Sequence, residues 1–108
     1  SFKENVSDLR NSRVPDIVKK LTEYGITPLV HDPFANGEDA LRQYGIELSG
    51  LDMMRNLDGL VVAVPHKPYV EMRSHDWRSF LGANSILIDV KSALDQTKLP
   101  DKITYWSL

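Results

Sequence analysis

A chain of 108 residues, 42% hydrophobic and 26% charged, with ordinary glycine and proline content, is one globular domain (1–108) with one modest core; disordered, collagen-like and transmembrane classes are excluded. The longest apolar run, Leu60 to Pro65, is far short of the ~20 residues of a membrane-spanning helix, and no signal-peptide pattern opens the chain, so a cytoplasmic protein with no membrane partner is expected. A net charge of −2 gives no global field to attract nucleic acid, and zero cysteines exclude disulfides, thiolate metal sites and a cysteine nucleophile from these residues.

The first element in chain order is the polar run Phe2 to Ser12, which places Lys3 and Arg10 ahead of a helix start. Ser12 is a good N-cap, Pro15 falls in the first turn where a missing N–H costs little, and Asp16 complements the positive helix end. Val14, Ile17, Val18 and Leu21 follow at i, i+3, i+4 and i+7, which predicts an amphipathic helix over 13–24, stopped by Gly25. Ile26 to His31 reads as a strand, with Pro28 arguing for an edge position or a strand start. Asn36 with Glu38 and Asp39 supplies a cap and an acidic first turn for a second helix, Gly37 to Tyr44, ended by Gly45.

Ile46–Leu48 is a short segment, and residues 51–56 form a short helix or turn. Asp58-Gly59 signals a turn before Leu60 to Val64, a continuous apolar run expected of a strand covered on both faces. Pro68 to Met72 and Asp76 to Leu81 read as short helices, Gly82-Ala83-Asn84 as a turn, and Ser85 to Val90 as a second buried strand. Lys91 to Lys98 is a loop with one helical turn, and Ile103 to Leu108 closes the sheet. Strands and helices in this alternation predict an α/β fold of Rossmann-like type, an open, mainly parallel sheet flanked by helices. Such a fold normally begins with a strand feeding the first helix, so the first strand is expected to be truncated, with a sheet edge left open.

In open α/β sheets, ligands bind outside the carboxyl ends of the strands. The polar residues there are Lys3 and Arg10, His31 with Asp32, His66 with Lys67, and Asp89 with Lys91. Most are cationic or able to become so, in a chain of net negative charge, which points to phosphate recognition. Asp32 is expected to serve the turn at Pro33, because a ribose-binding role requires a glycine-rich first turn that this chain lacks. His66 is read as a packed or solvated loop histidine, Trp77 and Trp106 as core or interface residues, and no histidine pair has metal-ligand spacing, so no metal is expected.

The pattern F-K-x4-D-x-R-x-S at Phe2 to Ser12 resembles the start of the UDP-binding C-terminal domain of the UDP-glucose/GDP-mannose dehydrogenase family. Glu23-Tyr24-Gly25-Ile26, Val30-His31-Asp32-Pro33, Tyr44 to Leu48, Asp58 to Val64, His66-Lys67 and Ile88-Asp89-Val90-Lys91 extend the likeness over nearly the whole chain. The Lys-Glu-Asn, Arg-Asn-Ser, His-Lys and Asp-Val-Lys forms are most similar to the branch that oxidises UDP-N-acetylhexosamines for surface polysaccharides. The UDP-glucose branch tends to carry Asp-Gly-Arg where this chain has Asp89-Val90-Lys91.

The resemblance implies an NAD-dependent oxidation of a sugar C6 alcohol to a carboxylate. The catalytic cysteine and most of the NAD site would belong to an N-terminal domain of the same polypeptide, so this chain would hold no catalytic residue and be inactive alone. It also implies that Lys3 and Lys91 bind the UDP-sugar, that Arg10 reaches the NAD pyrophosphate, and that the enzyme is a homo-oligomer. A lysine at 91 keeps the charge of the family's arginine but loses its bidentate fork. A stand-alone Rossmann-like module that binds a nucleotide or a partner protein is the alternative reading.

Overall fold

A computed structural model describes residues 14–108. The chain forms two compact units, the first ending at Leu51 and the second spanning Asp52–Leu108.

The first unit contains α1 (Val14–Glu23) and α2 (Gly37–Tyr44). Gly25, at φ 81°, closes α1: its N–H donates to the Thr22 carbonyl at 3.0 Å and that of Ile26 to Leu21 at 3.0 Å. This paired closure needs a left-handed residue, which glycine supplies without a Cβ penalty. The expected cap of α2 forms as well, with Asn36 Oδ1 accepting the N–H groups of Glu38 (2.9 Å) and Asp39 (3.2 Å). Ala40 and Ile46 are buried, and Val14, Val18, Val30, Ala35, Tyr44 and Leu48 pack against them.

The strand expected over Ile26 to His31 is reduced to one parallel bridge between Val30 and Leu48. Pro28 removes a ladder donor in the middle of that segment, and Leu48 is the one bridged partner among the described residues.

In the second unit, β1 (Leu57–Val62), β2 (Leu81–Asp89) and β3 (Thr104–Ser107) form a parallel sheet in the order β1-β2-β3. Between β1 and β2 come α3 (Lys67–Val70) and α4 (Ser74–Phe80), the crossover that a parallel pair requires. Short 3₁₀ turns occupy Leu51–Met53 and Gln96–Lys98, within the segments read as turn and loop.

Two sequence expectations fail in an instructive way. Asp58-Gly59 and Gly82-Ala83-Asn84 are not turns but lie inside β1 and β2. Leu57 pairs with Leu81 and Gly59 with Ile86, so β2 spends three more residues than β1 over that interval and absorbs its turn-forming residues as a bulge. Asn84 takes a positive φ of 58°, and a Cβ on Gly82 would lie 2.6 Å from Asn56 Oδ1 and 3.3 Å from the Leu57 carbonyl oxygen. A side chain at 82 would therefore have to displace the Asn56 amide and press on the Leu57 carbonyl.

The second failed expectation concerns coverage of the sheet. Register partners share a face, so Leu60, Val62, Leu87, Asp89 and Tyr105 point one way while Val61, Ile86, Ile88 and Trp106 point the other. Leu87 and Asp89 are fully buried and Val62 nearly so, whereas Val61, Ile86 and Trp106 are 38%, 43% and 60% exposed. The strand read as covered on both faces is buried on one; α4, which leads directly into β2, has the buried rings of Trp77 and Phe80. Those two rings meet edge to face at 6.3 Å.

Candidate functional site

The carboxyl ends of β1 and β2 come out side by side, because Val62 pairs with Asp89 and the Val90 N–H continues the ladder to the Val62 carbonyl at 3.1 Å. His66 and Lys67 follow the first of these strands, Lys91 the second. The chain thus places these candidate residues just beyond strand ends at one edge of the sheet, His66 and Lys91 in loops and Lys67 at the start of α3.

The loop after β2 is built around a carboxylate. Asp89 is the last residue of β2 and is fully buried. Its Oδ1 accepts the Ala93 N–H at 3.1 Å, and its Oδ2 accepts the Leu94 N–H at 2.9 Å and the Tyr105 hydroxyl at 2.6 Å. A buried carboxylate is tolerated only when its lone pairs are matched, and here both oxygens are used. The chain is wrapped around that group from residue 89 to residue 94, with Lys91 and Ser92 exposed at the crest. A second clamp holds the crest from outside. Ser92 takes a φ of 54°, its hydroxyl donates to the Leu108 carbonyl at 2.8 Å, and its N–H donates to the Asp89 carbonyl at 3.3 Å.

Tyr105 reaches this centre from β3, where it pairs with Leu87 two residues before Ser107, the partner of Asp89 on the same face. Partial burial pushes its phenol above the ordinary tyrosine value of 10.0, and its hydrogen bond to Asp89 and that carboxylate's charge push it the same way. It therefore stays a proton donor across the neutral range. On the same loop Asp95 caps the 3₁₀ turn, and hydrogen bonds from the Thr97 hydroxyl and N–H hold its carboxyl below the usual value.

His66 is buried, with its ring edge-on to Tyr69 at a centroid distance of 5.7 Å, and its carbonyl accepts the N–H groups of Tyr69 and Val70 at the start of α3. The geometry is that of a packed histidine. Lys67 is exposed and lies 3.7 Å from Glu71. In the first unit, Asp32 Oδ1 accepts the N–H groups of Phe34 (2.8 Å) and Ala35 (3.0 Å), the turn chemistry expected of it. His31 beside it is half-buried. Lys3, Arg10 and the N-cap Ser12 lie outside the described residues. Trp77 is a core residue as read, and Trp106 is largely exposed. Among the described residues no three His, Asp or Glu side chains converge to hold a metal, and no helix is long and apolar enough to cross a membrane.

Sequence reasoning missed Tyr105 and Ser92. Nothing in the sequence distinguishes Tyr105 from the other tyrosines until the strand order sets it beside β2. The signal for the loop was there in part: an Asp at a strand end can turn its carboxylate to nearby backbone N–H groups.

Residues 1–96 match the model of the UDP binding domain of the UDP-glucose/GDP-mannose dehydrogenase family. The chain belongs to that family. A UDP-N-acetyl-D-glucosamine 6-dehydrogenase of Pseudomonas aeruginosa is 41% identical over 98 residues, covering 91% of this chain and 23% of that protein. One of the same name from Salmonella typhi is 36% identical over 94 residues, covering 87% of this chain and 22% of that protein. Protein CapL of Staphylococcus aureus is 32% identical over 108 residues, all of this chain and 25% of that protein. The crystal structure of an NDP-N-acetyl-D-galactosaminuronic acid dehydrogenase from Methanosarcina mazei Go1 shares the fold, with a TM-score of 0.77 at 22% identity over 98% of this chain and 22% of that one. The chain thus spans about a quarter of the length of the curated relatives it matches.

Proposed function

We propose that this chain is the UDP-sugar-binding domain of an NAD-dependent UDP-N-acetylhexosamine 6-dehydrogenase, a cytoplasmic, homo-oligomeric enzyme of surface polysaccharide biosynthesis. The observation that carries the reading is the 41% identity to a UDP-N-acetyl-D-glucosamine 6-dehydrogenase over nine-tenths of the chain. In this reading residues 1–108 are one domain of a longer polypeptide and are inactive by themselves.

The carboxylate nearest the position of a ribose-binding aspartate, Asp32, is occupied by the Phe34 and Ala35 N–H groups, and no glycine-rich turn precedes it. NAD, the hydride acceptor, is held mainly by the rest of the polypeptide, with Arg10 reaching its pyrophosphate. Lys3 and Lys91 bind the UDP-sugar. Each places a positive charge beside phosphate or sugar oxygens and fixes the orientation of the C6 alcohol. Their contribution is orientation and charge complementarity.

The test is Lys3→Ala in the full-length enzyme, followed by NADH formation. The reading expects kcat/KM for the UDP-sugar to fall well beyond about threefold. A smaller loss removes Lys3 from the binding site.

A further inference from the structure

We propose that Asp89 and Tyr105 are positioning residues that hold Lys91 at the mouth of the UDP-sugar site. The inference rests on the assignment of Lys91 to the UDP-sugar and adds the device that fixes it there.

A lysine on a loop is a poor fixed charge, since its stem carries several rotatable bonds and its backbone is ordinarily mobile. In this molecule the backbone beneath Lys91 is tied at both ends. On one side it leaves β2 from Asp89, whose neighbour Val90 is still in the ladder with Val62. On the other it returns through Ala93 and Leu94, whose N–H groups are fastened to the Asp89 carboxylate at 3.1 and 2.9 Å. The residues between have little choice of path, and Ser92 takes up a left-handed conformation to complete it.

Tyr105 fixes the carboxylate itself. Its hydroxyl donates to Asp89 Oδ2 at 2.6 Å, a short bond to a fully buried anion, and so locks the carboxylate plane that the two backbone N–H groups read. Because Tyr105 belongs to the next strand, the loop is referenced to the sheet and not only to its own ends. A surface lysine on a flexible loop would need none of these parts.

The experiment is a double-mutant cycle in the full-length enzyme, comparing Lys91→Ala, Tyr105→Phe and the two combined, with kcat and KM for the UDP-sugar as readouts. Tyr105→Phe keeps the ring and removes only the hydroxyl. Expected are a loss of about tenfold in kcat/KM for Lys91→Ala, about fivefold for Tyr105→Phe, and less than about twofold for Tyr105→Phe when Lys91 is already alanine. The same loss from Tyr105→Phe in both backgrounds, or no loss in either, overturns the positioning role and leaves the assignment of Lys91 standing. No loss from Lys91→Ala overturns the assignment itself. Ser92→Ala, which cuts the outer clamp and leaves the carboxylate centre intact, is the second variant: it should cost two- to threefold, about the same order as a single lost hydrogen bond, and only while Lys91 is present. A Ser92→Ala loss that persists without Lys91 likewise overturns the proposal.

Discussion

Replacing Asp89 by Asn changes neither the volume nor the shape of the side chain, yet it should be one of the most destabilising single-atom changes in the second unit. The carboxylate accepts three hydrogen bonds, from Ala93 N, Leu94 N and the Tyr105 hydroxyl, and no part of it meets solvent. An amide offers one accepting oxygen and one donating NH₂. If its oxygen takes the Oδ2 position, it keeps Leu94 and Tyr105, and its NH₂ faces the Ala93 N–H. Turned over, it sets the NH₂ against Leu94. In both poses one backbone donor is stranded against another.

Losing one hydrogen bond to a charged group costs about 1.5–3 kcal/mol, and the upper end applies where a buried donor is left unpaired. The variant should therefore lose about 3 kcal/mol, a large part of the ~5–15 kcal/mol that holds a small domain together. Urea unfolding followed by far-ultraviolet circular dichroism measures this directly. With a slope of about 1.5 kcal/mol per molar, the midpoint should fall by about 2 M. Tyr105→Phe, which leaves the carboxylate with two donors, should lose about 1.5–3 kcal/mol, the worth of one hydrogen bond to a charged group. A midpoint for Asp89→Asn within about 0.3 M of the parent, at equal slope, would show that the carboxylate does not organise the loop.

Three further outcomes follow from the same structure. The phenol of Tyr105, isolated as the difference between parent and Tyr105→Phe phenolate absorbance, should titrate above 10.0. Because its folded value is raised, its contribution to stability is complete below the ordinary value and is lost as pH rises through the folded one; an unshifted titration would remove the Asp89 contact. Ser85 is buried with no hydrogen-bond partner for its hydroxyl among the described residues, so Ser85→Ala should raise stability by about 1 kcal/mol in urea unfolding, and a loss of that size would reveal a partner. Asn36→Ala should weaken α2 by about 1 kcal/mol, seen as faster amide exchange in Ala40 to Tyr44, with the Leu87 and Ile88 amides unaffected; equal acceleration in both sets would mean that the cap is not a local device.

Helices and cap residues were legible in the sequence because their signals are local. Gly37 to Tyr44 has the predicted limits, and α1 stops within a residue of its predicted C-terminal end, since apolar spacing and the glycines at 25 and 45 act within one turn. The strands were less legible. Gly59 and Gly82 look like turn residues, but one sits in a parallel ladder and the other where a Cβ would strike Asn56, facts that depend on a partner strand distant in sequence. The apolar run from Leu60 to Val64 suggested burial on both faces, whereas alternation of exposure at Val61 and burial at Val62 shows a one-sided strand. At the candidate site, Asp89 and Lys91 were visible as polar residues at a strand end. Tyr105 was invisible, because its role exists only once β3 lies beside β2.

The central claim concerns which UDP-sugar this domain serves, and substrate discrimination tests it most directly. The full-length enzyme should form NADH from UDP-N-acetylglucosamine or its epimer with a kcat/KM at least about tenfold above that for UDP-glucose. Equal values, or a preference for UDP-glucose, would contradict the assignment.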